Sequence, residues 1–233
     1  MLKVYTATDV GLVRAVNEDS FKIFAPNVYV IADGMGGYAA GELASKMLTD
    51  TVYTVLHDKS RIEQGDLCLA IRQANENILS YANKNNELSG MGTTATVAHI
   101  AGDNLIWAHV GDSRLYLLRQ GKLMQITCDH SYVEELVAKG SITPAEARTH
   151  PKRNYLTRAV GVAAAVNIDS GSCKLQTGDI LLLATDGLVK LVDNETIADI
   201  LLTAADNPAQ ILVNKALAAG GNDNITTVAV FVS

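Results

Sequence analysis

The segment 93–127, TTATVAHIAGDNLIWAHVGDSRLYLLRQGKLMQIT, decides the fold class. Four runs rich in apolar and β-branched residues, 93–100, 104–110, 114–119 and 122–127, follow one another with two or three residues between them. Gly102-Asp103 and Gln120-Gly121 supply turns. Connections this short join antiparallel neighbours, because a parallel crossover needs a dozen residues or more.

Helical periodicity lies on both sides of this block. A helix is predicted over about 39–56, with Ala44, Leu48 and Val52 on one stripe. A second runs through Leu67, Ala70, Ile71, Ala74, Ile78 and Tyr81 at i, i+3, i+4, i+7 spacing. Strands are expected at 2–9, 20–25 and 28–32, then again at 179–185 and 225–232. Helices are expected at 194–204 and 208–219, the latter opened by Asn207 and Pro208. The order predicts an α+β domain in which two antiparallel sheets pack together and helix pairs cover the outside. Residues 129–158 interrupt the pattern. They carry a short helix over 131–139 ended by Gly140, a capping box Thr143-Pro144-Ala145-Glu146, and the basic group His150, Lys152, Arg153 and Arg158. A polar insertion of this length between strands reads as a lid.

The 233 residues include 25 acidic and 19 basic side chains, a net charge of −6 that argues against general nucleic-acid binding. Cys68, Cys128 and Cys173 are far apart and odd in number. They suggest no disulfide framework or Cys-x-x-Cys site, and are expected to be small buried hydrophobes in a reducing compartment. No run approaches the ~18 apolar residues of a membrane span, and no leader pattern opens the chain. The expectation is a soluble, cytoplasmic protein.

Carboxylates adjoin the apolar strands. Asp33 follows 28–32, Asp112 follows 106–110, Asp186 follows 180–185, and Asp223 precedes 225–232. Any one of these is most simply a turn or cap residue. Jointly, with glycine beside Asp33, Asp112 and Asp186 and Asn224 beside Asp223, they point to a metal site at the rim of a core. Gly34 lacks a side chain, which would let its carbonyl approach a cation. Hard oxygen donors without histidine or cysteine favour Mg²⁺ or Mn²⁺ over Zn²⁺. Two such ions bridged by a carboxylate would activate a shared water and clamp a phosphoryl oxygen. Arg14 offers the planar fork that a phosphate needs, and Arg114 is a candidate partner for a carboxylate. His57, His99, His109 and His130 lack ligand-spaced partners and read as structural.

Six blocks now carry a resemblance. They are Thr8-Asp9-x-Gly11-x-x-Arg14-x-x-Asn17-Glu18-Asp19-Ser20, Asp33-Gly34-Met35-Gly36-Gly37, Met91-Gly92-Thr93-Thr94, Gly111-Asp112-Ser113-Arg114, Asp186-Gly187-Leu188 and Asp223-Asn224-Ile225-Thr226. In that order the chain resembles the metal-dependent (PPM, type 2C) serine/threonine protein phosphatases, particularly their compact bacterial members. The resemblance implies a single catalytic domain over 1–233, folded as an αββα sandwich, with 129–158 as a flap over the substrate. It implies two Mn²⁺ or Mg²⁺ ions bridged by Asp33, with the Gly34 carbonyl on one and Asp186 and Asp223 on the other. Asp19 would hold metal-bound waters, and Arg14 would grip the substrate phosphate. A third ion, found in bacterial members, would use Asp112 with Asp186. The reaction implied is hydrolysis of phosphoserine and phosphothreonine by direct in-line attack of a metal-bridging hydroxide. The partners implied are phosphoprotein substrates and a Ser/Thr kinase whose work is reversed; nothing demands more than a monomer.

Three positions depart from the wider family. Met35 stands where many eukaryotic members carry a histidine proposed as general acid, Tyr38 where bacterial relatives often have histidine, and Glu18 where some have glutamine. Two rivals are weaker. Gly34-Met35-Gly36-Gly37-Tyr38-Ala39 fits the dinucleotide pattern G-x-G-x-x-A, with Asp58 about twenty residues on, but successive hairpins over 93–127 contradict a Rossmann half. A catalytically silent sensor would be expected to have lost one of the aspartates, and none is lost. A phosphatase of small phosphoesters remains a variant of the main reading.

Overall fold

The computed structural model describes residues 1–36 and 40–233. In chain order the elements are β1 (Leu2–Asp9), β2 (Asp19–Phe24), β3 (Val28–Met35), α1 (Ala40–Leu56), α2 (Gln64–Lys84), β4 (Gly92–Thr93), β5 (Ala95–Ala101), β6 (Asn104–Val110), β7 (Arg114–Arg119) and β8 (Lys122–Gln125). They continue with α3 (Tyr132–Ala138), α4 (Pro144–Thr149), β9 (Asp169–Lys174), β10 (Ile180–Ala184), α5 (Asp186–Val189), α6 (Asn194–Thr203), α7 (Pro208–Ala218) and β11 (Ile225–Val232). One sheet has the order β1-β11-β10-β7-β8. The other has β2-β3-β5-β6-β9, with β4 added beside β3. The pairings between these strands are all antiparallel, which removes the dinucleotide-binding alternative.

Strand alternation builds three cores and hence four layers. Along β3, Val28, Val30 and Ala32 face α1 and α2, while Tyr29 and Ile31 face the other sheet. Along β10, Ile180, Leu182 and Ala184 face α6 and α7, while Leu181 and Leu183 point inward between the sheets. Every one of these residues is buried. Both β3 and β10 therefore read as continuous apolar runs, since each is covered on two faces. The αββα sandwich is the predicted architecture.

Several details differ from expectation. The predicted strand 28–32 runs on to Met35, so Asp33 lies inside β3 and not at its end. Its extension is held by pairing on both sides, Asp19 opposite Asp33 and Thr93 opposite Gly34. Strand β9 was not anticipated. Its sequence, Asp-Ser-Gly-Ser-Cys-Lys, has no apolar alternation, because it is an edge strand whose Gly171 lies under the Trp107 ring. A Cβ on Gly171 would sit 2.7 Å from that ring. Tyr81, at the end of the α2 stripe, is 42% exposed, whereas Leu67, Ala70, Ile71, Ala74 and Ile78 are buried. Of the cysteines only Cys68 is buried; Cys128 is exposed and Cys173 half-buried.

The glycine after Asp33 is dictated by packing. A Cβ on Gly34 would lie 2.0 Å from the Gly41 carbonyl oxygen and 2.6 Å from that of Glu18, so the first turn of α1 rests directly on the β3 backbone. Gly65, in the first turn of α2, has nothing within 4 Å of a Cβ built on it. Gly34→Ala should therefore destabilise the fold by about 1–3 kcal/mol, the usual cost of overpacking. Gly65→Ala should be neutral or stabilising by up to about 1 kcal/mol. Urea unfolding of the two variants measures both.

Candidate metal centre

The alternation that builds the cores also aims the carboxylates. Asp33 shares its face with Tyr29 and Ile31, and Asp19 shares its face with Phe21, so both side chains are directed between the sheets at one end of the sandwich. Asp112 sits in the corner 111–113 between β6 and β7. Asp186 opens α5 directly after β10, and Asp223 precedes β11. Oxygen atoms of Asp33, Asp112 and Asp186 lie within 4.8 Å of one another, the one such acidic or metal-ligating group found among the described residues.

Each position is fixed by hydrogen bonds to neighbouring backbone. The Asp33 N–H donates to Thr94 Oγ1 (2.9 Å), and the Asp33 carbonyl accepts from the Thr94 N–H (2.8 Å) and from Thr93 Oγ1 (2.9 Å). Asn224 ties the loop carrying Arg14 to the start of β11. Its Oδ1 accepts from the Glu18 N–H (2.7 Å), and its Nδ2 donates to the Val10 and Val16 carbonyls (2.9 and 3.0 Å). Behind the cluster, Thr185 Oγ1 donates to Asp19 Oδ2 (2.8 Å). The corner at Asp112 is held by a histidine pair. The Gly111 N–H donates to His130 Nδ1 (3.1 Å), and the Gly111 carbonyl accepts from the His130 N–H (2.7 Å) and from His109 Nε2 (3.0 Å).

Electrostatics set this end of the molecule apart. Burial, then Asp186 and Asp223, lift the Asp19 carboxyl to about 7 against the help of Thr226 and Thr185. Burial and then Asp186 lift Asp112 to about 7 as well. Burial followed by Asp186, Asp19, Asp112 and Asp223 raises Asp33 well above the ordinary carboxylate range. Two cations pair directly with this group among the described residues. Arg14 forms a fork with Asp223, Nε to Oδ1 and Nη2 to Oδ2 both at 2.9 Å. Lys190 bonds to Asp186 Oδ2, stands 3.7 Å from Asp112 Oδ2 and donates to Asn154 Oδ1 at 3.0 Å. Burial opposes the Lys190 charge, yet Asp186 and Asp112 outweigh it and raise its pKa.

The donor set fits a hard divalent ion. Asp19 Oδ1 and Asp186 Oδ1 are buried with no hydrogen-bond partner among the described residues, an arrangement that costs free energy unless a cation or its water completes it. All the converging donors are oxygens, which suits Mg²⁺ or Mn²⁺. The cluster opens into a cleft of about 470 Å³, whose wall includes Arg14, Glu18, Gly34, Met35, Asp223 and flap residues 154–158. A slightly larger hollow of about 540 Å³, bounded by 60–64 and 99–102, has no acidic cluster.

Of the predicted site residues, Asp33, Asp112 and Asp186 converge. Asp223 and Arg14 line the same cleft but are bonded to each other, and Asp19 lies behind Asp33. Arg114 is a structural partner, gripping Asp129 at the start of the flap through Nε (2.8 Å) and Nη2 (2.7 Å). Tyr38 lies outside the described residues. Lys190 and Asn154 were not anticipated. The signal for Lys190 was its place one helical turn after Asp186, visible only once 186–189 is known to be helical.

The family described as Protein phosphatase 2C matches residues 13–219. The serine/threonine phosphatase stp of Listeria welshimeri is 40% identical over 235 residues, covering 96% of this chain and 93% of its own. The crystal structure of the Mycobacterium tuberculosis serine/threonine phosphatase PstP/Ppp superposes with a TM-score of 0.92 at 39% identity, over 100% of this chain and 99% of that one. The PstP catalytic domain solved in complex with two manganese ions gives a TM-score of 0.90 at 38% identity, over 100% and 99%. The chain belongs to the protein phosphatase 2C (PPM) family.

His109 supplies a test of the corner beneath Asp112. It is fully buried, and burial first, then His130, lower its pKa to about 4. The unfolded chain takes up this proton near pH 6.5 while the folded one does not. The stability contributed is therefore complete above the unfolded value and is lost as pH falls towards about 4. Between pH 7 and pH 5 wild type should lose about 2 kcal/mol more than His109→Gln. Urea midpoints of both proteins in chelator at the two pH values measure the difference.

Proposed function

We infer that this protein is a divalent-metal-dependent phosphatase acting on phosphoserine and phosphothreonine in proteins. The observation that carries the reading is the convergence of Asp33, Asp112 and Asp186 beside buried carboxylate oxygens that no described residue satisfies. Asp33, the Gly34 carbonyl, Asp186 and Asp223 would hold two Mn²⁺ or Mg²⁺ ions, with Asp19 supporting them from behind. When bound, such ions supply Lewis-acid polarisation of a phosphoryl oxygen and activation of water near neutral pH.

The chain's own residues then bind and orient. Arg14, half-exposed at the cleft, presents a planar fork for two phosphate oxygens once Asp223 is engaged elsewhere. Thr94 and Asn224 hold the backbones that carry Asp33, Glu18 and Asp223. Met35 has no proton to give, so a leaving serine or threonine oxygen is not protonated from this position. The domain reading is 1–233 as one catalytic unit with 129–158 as flap. Its Tyr155, 66% exposed, and Arg158 line the cleft, and a wall built from the flap in this way favours protein over small phosphoesters. The same proposal places the enzyme in the cytoplasm as a monomer opposing a Ser/Thr kinase, because dephosphorylation of proteins closes the cycle such a kinase opens. No described helix is long and apolar enough to cross a membrane.

Hydrolysis of a phosphothreonine peptide tests the reading. Metal-stripped protein should be inactive and regain turnover with Mn²⁺ or Mg²⁺. Asp33→Asn and Asp223→Asn should each lose more than about 100-fold, a larger effect than loss of an outer-shell partner. Arg14→Ala should raise KM by about 10- to 100-fold, the worth of a charged hydrogen bond, with a smaller change in kcat. Turnover indifferent to chelation and to Asp33→Asn would overturn the proposal.

A further inference from the structure

Lys190 stands where a cation bridging Asp112 and Asp186 would stand. Its ammonium bonds to Asp186 Oδ2, lies 3.7 Å from Asp112 Oδ2 and donates to Asn154 Oδ1 at 3.0 Å. The position is built into the fold. Asp186 opens α5, Lys190 caps it one turn later, and the Lys190 N–H donates to the Asp186 carbonyl (3.0 Å), so the two side chains rise from one face of a single helical turn. The Asp112 and Asp186 side chains are 9% and 13% exposed, which keeps the pair from being answered by bulk water alone.

We propose that Lys190 is an internal cation that occupies the Asp112–Asp186 position, limiting the centre to two divalent ions. The inference rests on the metal-dependent phosphatase reading and sharpens its ion count. Charge supports it. Two dications and one ammonium match the five charges of Asp19, Asp33, Asp112, Asp186 and Asp223 when ionised, while Glu18, in the cleft wall, faces the Arg14 guanidinium that is left for a phosphate. A third dication at Asp112 and Asp186 would meet the ammonium at close range, a like-charge contact that opposes binding. Through Asn154, which lies in the flap, the same ammonium also joins the carboxylate cluster to the substrate wall.

The test counts ions and does not depend on turnover. Metal-stripped wild type, Lys190→Met and Lys190→Arg are titrated with Mn²⁺, by calorimetry and by the EPR signal of free Mn²⁺. Wild type should bind two ions per chain. Lys190→Met keeps the length of the side chain without its charge and should bind three, while Lys190→Arg keeps the charge and should bind two. Three ions on wild type, or two on a folded Lys190→Met, would overturn the role of Lys190 and leave the metal-dependent reading standing. No Mn²⁺ on folded wild type would overturn both. A Lys190→Met that fails to fold leaves the count on wild type and Lys190→Arg to decide, since three ions on either contradicts the proposal.

Discussion

The constraint on which the structure turns is the burial of like charge. Asp33, Asp112 and Asp186 converge at one end of the sandwich with Asp19 and Asp223 beside them, and among the described residues Arg14 and Lys190 are the cations paired directly with this group. Burying a carboxylate costs several kcal/mol unless something answers its charge, and here Asp19 and Asp186 each retain an oxygen that none of the described residues satisfies. Such a cluster is tolerated because the rest of the fold over-determines it. Two packed sheets, a helix turn seated on Gly34, and the Asn224 and His130 hydrogen bonds fix the backbones from which the carboxylates project. Stability elsewhere offsets strain at the centre, a division expected of functional sites.

The sandwich is an efficient way to reach this arrangement. Strand alternation directs Asp33 and Asp19 inward without any loop, because they follow the parity of Tyr29, Ile31 and Phe21. Asp112, Asp186 and Asp223 arrive at strand termini, where the chain leaves the sheet and hydrophobic contacts no longer dictate residue type. Glycines at 34 and 187 are needed for a reason separate from metal binding. A Cβ on Gly187 would lie 2.1 Å from the Asn224 carbonyl oxygen, so each Asp-Gly pair also marks a place where two backbones touch. One motif thus serves packing and chemistry together.

The layers were legible because hydrophobic period is a strong signal. The α2 stripe from Leu67 to Ile78 and the doubly covered strands β3 and β10 are uninterrupted, and their burial follows the sequence pattern, with only Tyr81 at the stripe's end left exposed. Edges were not legible. β9 pairs through its backbone while presenting glycine and serine, and the continuation of β3 through Asp33 depends on partners about 14 and 60 residues away in sequence. The carboxylates could be gathered as candidates because each adjoins an apolar strand. Their convergence, the fork between Arg14 and Asp223, and the ammonium of Lys190 between two acids are three-dimensional facts that no spacing rule contains.

The unanswered charge of this cluster calls for divalent cations. The most direct measurement is the thermal midpoint of metal-stripped protein as Mn²⁺ is added at fixed pH and ionic strength. A ligand that binds only the folded chain stabilises it by RT ln(1 + [L]/Kd), so the midpoint should climb continuously with Mn²⁺ and fall back on chelation. Asp33→Asn should blunt the climb. A midpoint that does not move with Mn²⁺ or Mg²⁺, in protein that unfolds reversibly, would contradict the account at its root.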